Sequence, residues 1–123
     1  MNIALIIEDD KSLREMMANA LRGAGFNPHM AGTGEEGCRL ALELLPQVIV
    51  TDIQLPDFSG FEVCRQIRAR SELRAARVLM VTGTYTKDED KMRAETLGAD
   101  AYLLKPFHLA EFILIVRRLA APS

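Results

Sequence analysis

The chain has no tryptophan, only two cysteines among its 123 residues, and aromatic side chains at 6% of positions. Cys38 and Cys64 lie far apart with no histidine or cysteine cluster beside them, which excludes a disulfide framework and a zinc site of ordinary spacing. Both read as buried free thiols. Long apolar runs are also missing, since nothing approaches the roughly 18 residues that a membrane span requires. Met1-Asn2-Ile3-Ala4-Leu5 lacks a cationic lead and runs straight into Glu8-Asp9-Asp10, so no signal peptide is read and a cytoplasmic location is expected. Fifteen basic against seventeen acidic residues leave a net charge of −2, with no basic excess to drive binding to a phosphate backbone. Pro/Gly-rich linkers, repeats and low-complexity segments are absent, and one domain over residues 1–123 is expected.

What is present is an alternation. Short apolar runs at Ile3–Ile7, Val48–Val50, Val78–Val81 and Ala101–Leu104 are separated by segments of helical period, with a more polar edge-strand candidate at Asn27–Ala31. The four apolar runs do not alternate with polar residues, as suits strands covered by helices on both faces of a parallel sheet. Helices are predicted between Asp10 and Gly25, from Gly34 to Leu45 before Pro46, from Gly60 onward, from Lys87 to Leu97, and from His108 to about Ala120. Met16, Met17, Met80 and Met92 are expected in the core. The highly charged fourth helix, anchored by Met92 and Leu97, is expected to be weakly held. Leu114 and Ile115 fall off the apolar stripe of the fifth helix.

In parallel α/β sheets the functional crevice forms at the carboxyl ends of the strands. The residues that follow the strands are Glu8-Asp9-Asp10, Asp52, Thr82-Gly83 and Lys105-Pro106. Carboxylates gathered there repel one another and call for a cation. Hard oxygen ligands suit Mg2+, with Glu8 and Asp9 holding it. A central carboxylate, Asp52, suits a nucleophile toward phosphorus, while Lys105, the Thr82 hydroxyl and the Gly83 amide suit charge on transferring oxygens.

The segments Ile6-Ile7-Glu8-Asp9-Asp10, Thr51-Asp52-Ile53-Gln54-Leu55-Pro56, Val81-Thr82-Gly83 and Gly98-Ala99-Asp100-Ala101-Tyr102-Leu103-Leu104-Lys105-Pro106-Phe107 resemble the motifs of response-regulator receiver domains over essentially the whole chain. The resemblance implies a single-domain, doubly wound, flavodoxin-like (βα)5 fold with strand order 2-1-3-4-5. It implies Asp52 as phosphoacceptor, Lys105 as the phosphoryl contact, and Glu8, Asp9, Asp52 and the Gln54 carbonyl as Mg2+ ligands. Thr82 and Tyr102 would be the switch pair, and Pro106 would follow a cis bond. By the same resemblance the phosphoryl donor is a sensor histidine kinase or phosphotransfer protein. The readout passes through the last two helices and the fifth strand to an effector domain or partner protein. The chain would assist its own phosphorylation and dephosphorylation without being a turnover enzyme. Gly83 stands where the family more often has Ala, Gln54 and Thr84 where phosphoryl lifetime is tuned, and Ala101 where many DNA-binding members carry a second Asp. Phosphorylation-dependent pairing of two copies stays open.

Each residue also has a plainer reading. Asp9 or Asp10 could cap the first helix, Asp52 could serve a turn, and Tyr102 could be strand packing. His29 and His108 have no ligand partners at suitable spacing. An aspartyl-phosphate phosphatase would carry a second Asp at Gln54, and a flavin carrier would have its phosphate loop after the first strand, where acidic residues stand. A receiver-like binding module that takes no phosphate is the remaining alternative.

Overall fold

A computed structural model of the chain describes residues 2–83 and 88–122. Five strands, β1 (Ile3–Ile7), β2 (Asn27–Ala31), β3 (Val48–Asp52), β4 (Arg77–Thr82) and β5 (Ala101–Leu104), form one parallel sheet in the order β2-β1-β3-β4-β5. Five helices alternate with them: α1 (Lys11–Gly23), α2 (Gly34–Leu44), α3 (Gly60–Arg68), α4 (Asp88–Thr96) and α5 (Leu109–Ala120). This is the doubly wound, flavodoxin-like arrangement that the alternation implied. Thr84 and the expected start of the fourth helix at Lys87 lie outside the described residues.

The unbroken apolarity of the central strands follows from burial on both faces. Leu5, Ile7, Ile49, Val78 and Met80 face a cluster completed by Ala41 of α2, Phe61, Cys64 and Ile67 of α3, and Ala94 of α4. Ala4, Ile6, Val48, Val50, Leu79 and Val81 face the opposite cluster, completed by Met17 and Leu21 of α1 and by Phe112 and Val116 of α5. Among the described residues, no helix is long and apolar enough to cross a membrane.

Local chemistry sets the helix ends. Asp10, Thr33 and Ser59 cap α1, α2 and α3, each side-chain oxygen accepting from a backbone N–H three residues on. Beyond α1, Gly25 takes a left-handed conformation (φ 95°), and α2 ends at Leu45 (φ 48°) before Pro46. A short 3-10 turn at Ser71–Leu73, which periodicity did not reveal, turns the chain toward β4.

At the far end of α3, Arg68 donates to the carbonyls of Gly98 (2.9 Å) and Ala76 (2.7 Å) and to the Asp100 carboxylate (2.7 Å). Asp100 also accepts from the Val78 amide at 2.8 Å. The C-terminal approach of α4 to β5 is thereby tied to α3 and β4.

Several core assignments need correction. Met16 is 51% exposed and Met92 65% exposed. The inward arc of α1 runs through Met17, Ala18 and Leu21, one helical step round from Met16. The one buried residue of α4 is Ala94, whose small side chain seats a helix that has little other apolar surface. Ile115 packs against the α1/α5 cluster, so of the two residues off the α5 stripe only Leu114 faces out. Cys38 is half-buried, while Cys64 is buried as expected.

These positions predict unequal sensitivity. Phe112→Ala should cost about 3–5 kcal/mol in urea unfolding, whereas Met92→Ala should stay within about 0.5 kcal/mol.

Candidate functional site

Parallel register carries four strand ends to one edge. Ile7 lies opposite Thr51, Asp52 opposite Val81, and Thr82 opposite Leu104. Glu8 and Asp9 leave β1, Asp52 closes β3, Thr82 closes β4, and Lys105 follows β5. Glu8 and Asp52 are 1% and 7% exposed, while Asp9 is open to solvent. Carboxylate oxygens of Glu8, Asp9 and Asp52 lie within 4.8 Å of one another.

Lys105 answers this concentration of negative charge. Its Nζ donates to Glu8 Oε1 and to Asp52 Oδ2, both at 2.7 Å. The Lys105 amide donates to the Thr82 carbonyl (2.7 Å), and the Lys105–Pro106 bond is cis, as the resemblance implied. The Gln54 amide donates to Asp52 Oδ1 at 3.1 Å. Gly60 is required behind Asp52, because a Cβ there would overlap the Asp52 carbonyl oxygen.

Burial pushes the Glu8 carboxyl up to about 7; hydrogen bonds from Lys105 and the Asp10 amide oppose the rise, and the Asp52 charge adds to it. Burial pulls the Lys105 ammonium down, but its hydrogen bonds to Asp52 and Glu8 outweigh that effect and leave it above its ordinary value. A set of hard carboxylate oxygens with one of its members reluctant to ionise suits a divalent cation, whose charge would relieve the crowding.

The family model of the response regulator receiver domain matches residues 4–117. This chain belongs to the receiver domain family. It is 36% identical over 113 residues to the DNA-binding response regulator MtrA of Mycolicibacterium paratuberculosis, covering 92% of this chain and 48% of that protein. It is 34% identical over 116 residues to the sensor histidine kinase AtsR of Burkholderia thailandensis, covering 94% of this chain and 19% of that one. The solved structure of the chemotaxis response regulator CheY4 of Vibrio cholerae superposes with a TM-score of 0.90 at 29% identity, covering 97% of this chain and 98% of that one. The chain thus spans about half the length of the MtrA protein and a fifth of AtsR.

Within this receiver domain, the sequence-predicted residues Glu8, Asp9, Asp52 and Lys105 converge. Thr82 is buried at the adjoining strand end, and Gly83 follows it, half-buried. The Tyr102 ring packs against the α3/α4-side cluster; its hydroxyl is buried and has no hydrogen-bond partner among the described residues. Of the two candidate caps, Asp10 is the cap, its Oδ1 accepting from Leu13 N at 3.1 Å, which leaves Asp9 to the carboxylate cluster. His108 stands at the N-cap of α5 without a side-chain capping bond.

Sequence reasoning missed Arg14, whose Nη1 donates to the Glu8 carbonyl at 2.7 Å and to the Asp9 carbonyl at 3.4 Å, bracing the acidic loop. It also missed Asp57, whose carboxylate reaches the start of α2. A basic residue one turn into α1 was the available signal for the first. For the second, Asp directly after Pro is too common a turn pair to serve as a signal.

The raised Glu8 value predicts a pH signature without metal. A carboxyl whose folded value exceeds its unfolded one contributes stability that is fully present below about pH 4.5 and lost as pH rises through about 7. In urea unfolding with EDTA, Glu8→Gln should therefore gain on the parent chain between pH 4.5 and 8, by on the order of 3 kcal/mol. An unchanged difference would show that folding does not raise the Glu8 carboxyl.

Proposed function

We propose that this receiver domain accepts a phosphoryl group on Asp52 in a Mg2+-dependent phosphorelay. The observation that carries the reading is the Lys105 ammonium held at 2.7 Å from both Glu8 and Asp52, beside a carboxylate set able to hold a divalent ion. Glu8, Asp9, Asp52 and the Gln54 carbonyl would hold the cation, which would neutralise charge on the phosphoryl oxygens.

Asp52 supplies the attacking oxygen. As its bond to phosphorus forms, the bond from phosphorus to the donor's nitrogen or oxygen breaks, and the electron pair leaves with the donor. Lys105 exchanges its carboxylate partners for a phosphoryl oxygen. The Thr82 hydroxyl and the Gly83 amide lie at the adjoining strand end and donate to the remaining oxygens. Because Asp52 carries the group and passes it to water or onward, the domain is a self-assisting phosphoacceptor, not a turnover enzyme.

The donor, a histidine kinase or phosphotransfer protein, must reach this edge. Beside Lys105 a cavity of about 270 Å³ is lined by Leu13, Met16, Pro106, Phe107 and Leu109, an apolar shelf suited to a docking protein. On the side of α4, β5 and α5, Met92, Leu104 and Leu114 are exposed large apolar residues, which supports that surface as the one read by an effector domain, a partner or a second copy. Tyr102 is the link, its inward ring lying on β5 two residues from Leu104 and next to the strand that ends in Thr82. A cytoplasmic setting is consistent with this phosphodonor chemistry.

Incubation with acetyl phosphate and Mg2+ should add one phosphoryl group by intact mass, and the addition should vanish in Asp52→Asn and in EDTA. Unchanged labelling in Asp52→Asn would move the acceptor elsewhere. No labelling together with no beryllofluoride complex would make the domain a phosphate-independent binding module.

A further inference from the structure

The loop between β3 and α3 carries Gln54, whose carbonyl belongs to the proposed cation set, yet its tip is fastened to an element outside the site. Asp57 Oδ1 accepts from the Gly34 amide (2.8 Å) and from its neighbour Phe58 (2.9 Å), while Oδ2 accepts from the Glu35 amide (2.8 Å). The first two amides of α2 are thus satisfied by a residue more than twenty positions away. The third, Glu36, is satisfied by α2's own cap, Thr33 Oγ1, at 3.1 Å.

The contact caps α2 and at the same time ties the loop to it. The first turn of α2 already carries the carboxylates Glu35 and Glu36, which favour its positive end. Burial, which would raise the Asp57 carboxyl, is outweighed by the Glu35, Gly34 and Phe58 amides, which hold it below its usual value. The Phe58 ring reinforces the tie, since a Cβ at Gly34 would come within 2.5 Å of it. At the loop's other end the Gly60 amide donates to the Ile53 carbonyl at 2.7 Å. Residues 53–59 are therefore pinned at both ends, with Gln54 between the pins and its amide on Asp52 Oδ1.

We propose that Asp57 is a positioning residue: by clamping the β3–α3 loop to the N-terminus of α2, it keeps the Gln54 carbonyl aimed at the cation and so sets the Mg2+ requirement for phosphorylation. This rests on the phosphoacceptor reading above. Asp57 accepts from backbone amides and lies outside the Glu8, Asp9 and Asp52 carboxylate set. Supports of this kind govern metal affinity more than the chemical step, because they fix the direction of a ligand that itself remains in place.

The test compares Asp57→Ala, Asp57→Asn and Thr33→Ala in Mg2+ titrations of acetyl phosphate labelling. Asp57→Ala should raise the half-saturating Mg2+ concentration about tenfold while leaving the labelling plateau within about twofold. Asp57→Asn, which keeps one acceptor oxygen, should fall between it and the parent chain. Thr33→Ala weakens the same helix end without touching the loop, and its Mg2+ requirement should stay within about twofold of the parent. Equal shifts in Thr33→Ala and the Asp57 variants would reduce Asp57 to a helix cap, and no shift in either Asp57 variant would remove its role. Those results overturn this inference while the parent chain still labels normally. A parent chain that takes no phosphoryl group overturns the underlying reading and this inference together.

Discussion

Two buried carboxylates, Glu8 and Asp52, meet from two strand ends with the exposed Asp9 beside them, and a cation must stand between them; in this fold Lys105 is that cation. Its ammonium bridges residues 97 and 53 positions away in the chain, joining β5 to β1 and β3. The bridge sets requirements on the rest of the fold. β4 must separate β3 from β5 at the right register, the Lys105 amide must find the Thr82 carbonyl, and the chain must turn at once through Pro106. Removing the ammonium alone would leave an uncompensated buried charge, so the site and the stability of its edge are one electrostatic problem.

Much of this was legible in the sequence because a parallel sheet converts position along the chain into position in space. Strands covered on both faces leave uninterrupted apolar runs, and Ile3–Ile7, Val48–Val50 and Val78–Val81 stood out for that reason. Once the runs were placed, the residues after them had to meet at one edge, which brought Glu8, Asp9, Asp52, Thr82 and Lys105 together. The strand order came from the resemblance, since apolar runs alone do not say which strand lies beside which.

What escaped the sequence were contacts between elements whose residues have everyday local explanations. Asp57 after Pro56 is an ordinary turn pair, and its carboxylate's reach to Gly34 and Glu35 depends on how α2 and the β3–α3 loop meet. Ala94 gives no periodic signal that sets it apart from the larger Met92, although the small residue is the one that seats α4. Arg68 and Asp100 are charges of a common kind, and only the folded chain shows them stitching α3 to the approach of β5. On α1, Met17 and Leu21 were legible as core, but Met16 was placed with them because its chemistry is the same as that of Met17.

The two hydrophobic clusters have no buried residue in common. The sheet is thus a party wall between separate rooms, each furnished by its own helices. A packing change in one room reaches the other chiefly by bending the wall. That wall ends in Asp52 and Thr82, so the functional edge is where disturbances from both sides are summed. Substitutions in opposite rooms should be nearly additive in their effect on folding, yet interact in their effect on the edge.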